Sequence, residues 1–129
     1  MIKKRLLYMI IISFLILSFV ILCIAAKNYN AVALRGHFDL AEYPLYEDTL
    51  PDNRKIGLLP DAETAAIEAN KLWKEVYGRE FRGRISVKYD DNNGCWLVSG
   101  ELSLFDFLFF PNAIIKEDGT VLSIWLGQF

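Results

Sequence analysis

The residues that could do chemistry in this chain are few and lie far apart. There is one histidine, His37, and there are two cysteines, Cys23 and Cys95. Nucleophilic catalysis by serine or cysteine needs a base held beside the nucleophile, and His37 stands in an irregular stretch punctuated by glycine and proline. We therefore interpret His37 as a solvated residue rather than as a base or a metal ligand.

The carboxylates offer no clearer candidates for acid–base chemistry. Asp90 and Asp91 form one adjacent pair and Glu117 and Asp118 another, but both pairs fall in predicted turns. A general acid or base needs a tuned pKa and a fixed position, which solvated turn residues lack. The sequence also contains no HExxH, CxxC or glycine-rich phosphate-binding motif. It therefore predicts no catalytic residue, no metal site and no cofactor site, and we do not expect an enzyme.

The elements that would position any site begin with a long apolar segment. Leu6–Ala26 is a run of 21 residues without a charge, and a helix of that length spans about 30 Å, the thickness of the hydrocarbon core of a bilayer. Lys3, Lys4 and Arg5 precede the run, whereas only Lys27 follows it closely. This asymmetry predicts residues 1–5 in the cytoplasm, a single-pass anchor over residues 6–26 in the cytoplasmic membrane, and an extracytoplasmic C-terminal domain.

A cleaved signal peptide is the main alternative, because Cys23-Ile24-Ala25-Ala26 offers small residues where a signal peptidase could cut. The apolar run is longer than the usual signal core of about 7–15 residues, so we favour an uncleaved anchor. Acylation of Cys23 is disfavoured by the bulky Val20-Ile21-Leu22 before it. With Cys23 in the membrane no disulfide to Cys95 is expected, and Cys95 beside Trp96 is predicted to be a buried free thiol.

The charge of the part beyond the anchor is acidic. The chain has 14 basic and 16 acidic residues, for a net charge of −2. Three of the basic residues precede Leu6, so the part after Ala26 carries 11 basic and 16 acidic residues, a net charge of about −5. Nothing in it forms a basic stripe, so nucleic acid is not an expected partner. With no catalytic or cofactor site predicted, no small-molecule substrate is expected either.

One helix is predicted clearly after an irregular spacer and lead-in over residues 27–56, in which we expect a short helical turn near Leu34–Leu40. Asp61 is a candidate N-cap for this helix, and Gly78 is a candidate C-cap. Apolar residues recur between them at helical spacing, and Trp73 and Tyr77 are predicted to pack the helix on a sheet.

Four strands are predicted beyond the helix. Arg84–Asp90 and Cys95–Leu102 flank an Asp-Asp-Asn-Asn-Gly turn, and Ala113–Lys116 and Thr120–Leu126 flank a Glu-Asp-Gly turn. Ile85, Val87 and Tyr89 alternate with polar residues, as in a sheet with one wet face. The sequence predicts an α+β domain over residues 57–129, with one main helix packed on a curved antiparallel sheet.

The run Leu102–Phe110 between the two hairpins contains four phenylalanines and three leucines. One half-buried strand face does not need so many large apolar side chains. Two interpretations stay open: a strand extension that belongs to the core, or an exposed apolar loop that meets a partner or the nearby bilayer.

Three segments together resemble a known family: Gly57–Gly78, Trp96–Leu102 and Ala113–Ile124. In this order and spacing they are similar to the nuclear-transport-factor-2-like immunity proteins of bacterial polymorphic toxin systems. The resemblance implies a protein that binds and neutralises a cognate toxin without catalysis. The chain departs from the family in its Phe-rich run, where the family is usually polar and rich in glycine. It also has Leu126-Gly127 where a histidine often precedes the glycine.

The candidate toxin contacts are Glu101, Phe105, Asp106, Phe107 and Phe109, on or beside the Phe-rich run. Apolar aromatic residues there would act as desolvated anchors, and the two carboxylates could pair with a basic toxin. A competing hypothesis is a membrane-anchored module similar to the PepSY or cystatin-like group, which would regulate a peptidase or a cell-envelope enzyme. A toxin gene beside this one would favour the first hypothesis, and a peptidase or envelope operon would favour the second.

Overall fold

The computed structural model describes residues 2–27, 31–46, 55–102 and 108–127. Its first element, α1 (Ile2–Lys27), covers the predicted anchor. The helix is long and apolar enough to cross a membrane. Every side chain from Ile2 to Leu22 is exposed, so this part of α1 packs into no protein core.

The remaining elements form an α+β unit with a single five-stranded sheet. In chain order they are β1 (Val32–His37), a short 3₁₀ helix (Leu40–Glu42), α2 (Ala62–Tyr77), β2 (Arg84–Asp90), β3 (Cys95–Leu102), β4 (Pro111–Lys116) and β5 (Val121–Leu126). The strand order is β1-β2-β3-β4-β5. Neighbouring strands from β2 onward are antiparallel, and β1 is parallel to β2.

The sheet is therefore mixed, which corrects the prediction of a purely antiparallel sheet. The strand β1 lies in the predicted spacer, and the helical turn begins only at Leu40. Val32 pairs with Ile85, but the register shifts beyond Leu34 and Gly36 has a φ of 98°. A short edge strand with such an irregularity shows no sustained alternation. The chain also arrives at β2, the partner strand of β1, only after a long crossover that contains α2.

The helix α2 has the predicted caps and the predicted buried face. Asp61 Oδ1 accepts a hydrogen bond of 2.7 Å from the Thr64 amide, and the bonds from Thr64 lower the pKa of Asp61. Gly78 ends the helix with a φ of 78°. Trp73 is fully buried and Tyr77 is half-buried against the same core, so both predicted packing residues are confirmed.

The main core lies between α2 and one face of the sheet, which we call the helix face. Two indole groups tie it to backbone carbonyls: Trp73 Nε1 donates to the Asn112 oxygen at 3.3 Å, and Trp96 Nε1 donates to the Leu59 oxygen at 3.0 Å. These bonds satisfy buried donors that would otherwise lose their hydration without compensation.

The opposite face, which we call the second face, carries a smaller core of Cys95, Leu97, Ile114 and Trp125. The segment Phe38–Tyr46, which we call the covering segment, packs on this core and has little regular structure. The covering segment is held by side chains of the sheet. The Leu40 amide donates to Asp90 Oδ2 at 2.8 Å, and the Tyr46 amide donates to Ser123 Oγ at 2.8 Å.

Candidate binding groove

The covering segment leaves part of the second face open, and a groove of about 230 Å³ lies there. Its lining combines residues of the strands β2 to β5 with one residue of the covering segment. The lining residues are Tyr43, Ser86, Lys88, Leu97, Ser99, Gly100, Glu101, Asn112, Trp125 and Gly127.

The polar floor of the groove follows from strand alternation. Ile85 and Val87 are buried on the helix face, so Ser86 and Lys88 point to the second face. Ser99 is paired with Ser86 across the β2–β3 register, and it lies on the same face. The sequence pattern already predicted a wet face for β2, and the structure places the groove on it.

Asn112 fixes the end of the groove, because both the oxygen and the nitrogen of its side-chain amide form hydrogen bonds. Asn112 Oδ1 accepts a hydrogen bond of 2.7 Å from Ser99 Oγ. Its Nδ2 donates to the carbonyl oxygens of Phe110 at 3.1 Å and Gly127 at 2.6 Å. A buried amide with this set of partners holds β3, β4 and the end of β5 in register.

Charged side chains lie at the rim and on the floor of the groove. Arg35 donates twice to Glu101, through Nη2 to Oε1 at 2.9 Å and through Nε to Oε2 at 3.3 Å. This bidentate ion pair joins β1 to β3 across the intervening strand β2. Lys88 and Glu101 both line the groove, so it presents both signs of charge.

Aromatic rings form the wall of the groove on the side of the covering segment. The rings of Tyr43 and Trp125 lie 6.4 Å apart between centroids, and those of Tyr46 and Trp125 lie 5.8 Å apart. Tyrosine and tryptophan combine a large apolar surface with a polar group, and they lose little side-chain entropy on binding. Of these three rings, those of Tyr43 and Trp125 line the groove itself.

The structure places the predicted contact residues Glu101 and Phe109 in different environments. Glu101 is exposed and lines the groove. Phe109 is only 5% exposed, its ring lies 6.0 Å from that of Tyr77, and the Arg79 guanidinium lies 4.2 Å above it. Phe109 is therefore a core residue, as the strand-extension interpretation expects for this position.

The other three candidates, Phe105, Asp106 and Phe107, lie outside the described residues. Their role as contacts stays a prediction. The lining residue Tyr43 was not predicted, nor was Arg35, the partner of the lining residue Glu101, since both belong to a region whose sequence shows no sustained period. Lys88 and Ser86 could have been proposed, because the polar alternation of β2 marked them.

The titratable groups with the largest shifts are held in their protonated forms. Burial is the main cause that raises the pKa of Cys95 to about 12, with the negative charge of Asp90 beside it. Cys95 is fully buried, as predicted. Tyr89 Oη donates to Glu117 Oε1 at 2.5 Å, and this bond raises the pKa of Tyr89 to about 12. Neither group becomes an anionic nucleophile near neutral pH.

His37 lies at the surface, with its Nδ1 3.2 Å from Asp91 Oδ2 and both side chains largely exposed. This placement agrees with its interpretation as a solvated residue. Within the described ranges, no group of three or more histidine, cysteine or acidic residues could hold a metal ion.

No protein-family model, curated protein or solved structure significantly matches this chain.

Proposed function

We propose that this protein is a membrane-tethered immunity protein, which binds a cognate bacterial toxin and neutralises it without catalysis. The observation that carries the proposal is the groove on the second face. It joins charged and aromatic side chains, most of them on the hydrogen-bonded strands of one sheet, so little conformational entropy would be lost at those positions when a partner binds. We infer the nuclear-transport-factor-2-like fold family from the sequence resemblance, which the α+β architecture accommodates.

The size of the groove favours a protein partner over a free small molecule. Pockets for drug-sized ligands usually measure about 300–1,000 Å³, and this groove measures about 230 Å³. That volume suits one or two side chains of a protein surface laid across the second face. Tyr43 and Trp125 would pack against them, and Lys88 and Glu101 would orient them by charge.

The partner class comes from the resemblance, and the compartment comes from the apolar helix. A domain held outside the cytoplasm by Leu6–Ala26 would meet a toxin that arrives from a neighbouring cell before it crosses the membrane. The net charge of about −5 beyond the anchor would accelerate encounter with a basic toxin.

The test is co-expression of the full-length chain with the product of the adjacent gene. We expect a stoichiometric complex that copurifies from membranes, and survival of cells that express the adjacent toxin. Lys88→Glu should weaken binding at least tenfold, because it reverses the charge on the groove floor. Lys71→Glu, on the exposed side of α2, is the matched control and should bind normally.

The outcomes separate the two hypotheses from the sequence. Failure of the wild-type chain to protect cells would remove the immunity proposal. Stable capture of a peptidase or envelope enzyme, with a change in its activity, would favour the regulatory module instead. Equal loss of binding in Lys71→Glu and Lys88→Glu would show that the groove is not the contact surface.

The remaining contact candidates need their own variant. Asp106→Lys combined with Phe107→Ser should reduce protection without changing the melting temperature. A folded double variant that still protects fully would remove these two residues from the proposed interface.

A further inference from the structure

The acidic residue that lines the groove already has a partner. Arg35 donates to Glu101 Oε1 at 2.9 Å and to Glu101 Oε2 at 3.3 Å, so both carboxylate oxygens accept a hydrogen bond. The two opposite charges are matched within this pair. A basic side chain that entered the groove would have to compete with Arg35 for the same two oxygens. Glu101 is therefore a weak anchor for a cation.

The basic residue that lines the groove, Lys88, is in the opposite situation. Across the described ranges, no carboxylate forms an ion pair with its ammonium group. Lys88 is half-buried, so part of its side chain is removed from water. A charged group that has lost part of its hydration and has no counterion is stabilised when an anion binds to it. Lys88 is thus the lining charge on which a ligand can act.

The nearest carboxylate along the same strand is held by other contacts. Asp90 follows Lys88 by two residues in β2 and lies on the second face. Its Oδ2 accepts a hydrogen bond of 2.8 Å from the Leu40 amide, and its Oδ1 accepts from the amides of Asn92 at 2.9 Å and Asn93 at 3.1 Å. These bonds hold the carboxylate between the β2–β3 turn and the covering segment. Asp90 therefore leaves the ammonium group of Lys88 available to a ligand.

Lys88 also stands beside the apolar part of the groove. It is paired with Leu97 across the β2–β3 register, and the Cβ atoms of such opposed residues lie about 5 Å apart. Leu97 belongs to the second-face core together with Trp125, and Tyr43 lines the same groove from the covering segment. A ligand that reaches Lys88 therefore also meets apolar and aromatic surface.

We propose that the groove receives an acidic side chain of a protein partner, whose carboxylate pairs with Lys88 while a neighbouring apolar side chain packs on Tyr43 and Trp125. Ser86 lines the groove on the same strand face and offers a hydroxyl donor to the carboxylate. This inference rests on the proposed function only in taking the groove as the contact surface.

The sign of this local anchor is opposite to the sign that the net charge favours. The net charge of about −5 beyond the anchor acts at long range and accelerates the approach of a basic partner. The groove acts at contact and selects an acidic residue on that partner. A partner that satisfies both carries a carboxylate inside a largely basic surface, which is a narrower requirement than either condition alone.

The test selects peptides against the groove in the absence of any partner protein. The full-length chain in phosphatidylcholine nanodiscs is exposed to a phage library of random peptides, after removal of phage that bind empty nanodiscs. We expect the retained peptides to carry aspartate or glutamate beside an apolar or aromatic residue. Lys88→Met keeps the apolar stem but removes the charge, so it should not retain them. Lys71→Met, at an exposed position of α2, is the matched control and should retain them.

Affinity measurements then isolate the contribution of the carboxylate. One retained peptide is compared with a counterpart in which its glutamate or aspartate is replaced by the corresponding amide. This replacement should weaken binding to the wild-type chain roughly tenfold, as the loss of one charge-assisted hydrogen bond does. It should change binding to Lys88→Met by about twofold or less. If Lys88→Met does not fold, raised salt should weaken binding of the acidic peptide to the wild-type chain and spare its amide counterpart.

Retained peptides that are basic, or that bind the wild-type chain and Lys88→Met equally, would overturn this inference. A selection that retains no peptide would overturn it as well, because the groove would then hold no acidic side chain with measurable affinity. Neither result decides the immunity proposal, which copurification with the adjacent gene product tests separately. Failure of that copurification would in turn leave the peptide result standing.

Discussion

The two faces of the sheet are built from the same strands but are closed in different ways. The helix face is covered by α2, a regular helix with caps at both ends. The second face is covered by Phe38–Tyr46, a segment with a single short turn of 3₁₀ helix, and only over part of its area. The difference separates a face that is closed by a regular helix from a face that is left partly open, where the groove lies.

The distribution of buried side chains supports this division. Among the residues that the structure describes, sixteen buried ones belong to the helix-face core, whereas four belong to the second-face core. Because hydrophobic stabilisation grows with the apolar area removed from water, most of it comes from the helix face. Substitutions on the two faces should therefore differ in what they damage.

The largest effect is expected on the helix face, from Trp73→Ala. Trp73 is fully buried and its indole is hydrogen-bonded, so truncation leaves a cavity and should lower the free energy of unfolding by about 3–5 kcal/mol. Urea denaturation of the full chain in detergent measures this change. Ile67→Ala, at a position of the same helix that is 51% exposed, is the control and should cost about 0.5 kcal/mol or less. Equal effects of the two variants would show that the buried face of α2 is assigned wrongly.

A smaller loss is expected from Leu97→Ala on the second face. Leu97 is 5% exposed, but the covering segment above it is irregular and can settle into the space. We expect about 2–3 kcal/mol, the lower part of the usual range for such truncations. Hydrogen exchange should also accelerate at the Leu40 and Tyr46 amides, which hold the covering segment. Unchanged exchange at both amides would contradict the proposed link between this core and the covering segment.

The attachment of the covering segment through Asp90 should depend on pH. Asp90 is buried and accepts hydrogen bonds from Asn93 and from the backbone amide of Leu40, and these bonds lower its pKa. A lowered native pKa means that the stabilisation is complete above the unfolded value of about 3.9 and is lost as the pH falls through the native value. Asp90→Asn should cost about 1–3 kcal/mol at pH 7. It should also flatten the acid limb of a stability–pH curve, and an unchanged acid limb would assign that limb to other carboxylates.

The parts of the fold that the sequence predicted depend on local signals. The bounds of β2 and β3 match the prediction, and α2 runs between the predicted caps at Asp61 and Gly78. A cap, a turn and an alternating strand can each be recognised within a few residues. The parallel pairing of β1 could not, because it joins Val32 to Ile85 across more than fifty residues.

The groove, like the fold, could be predicted only where a local sequence pattern marks its residues. Lys88 lies on the alternating strand β2, so its exposure followed from the pattern. Tyr43 lines the groove from the covering segment, and Arg35 on β1 pairs with the lining residue Glu101. The positions of both depend on contacts that no local period encodes. For Phe109 the local sequence was ambiguous, because its apolar neighbours are compatible with both a buried and an exposed position. In the structure Phe109 is buried and packs against Tyr77.

The smallest effect on stability is expected from the Arg35–Glu101 pair. Variants of this pair distinguish most sharply between a role of the second face in stability and a role in binding. Both side chains are about 40% exposed, at 42% and 38%, so Arg35→Gln and Glu101→Gln should each change the free energy of unfolding by about 1 kcal/mol or less. A double-mutant cycle gives the coupling between them, which should shrink at high salt. The same variants should weaken binding of the partner at least tenfold if the rim of the groove is the contact surface. Stability and binding would then respond to different faces of one sheet. If the variants instead destabilise the domain while the folded protein still binds normally, that division is reversed and the pair acts as a structural clamp between β1 and β3.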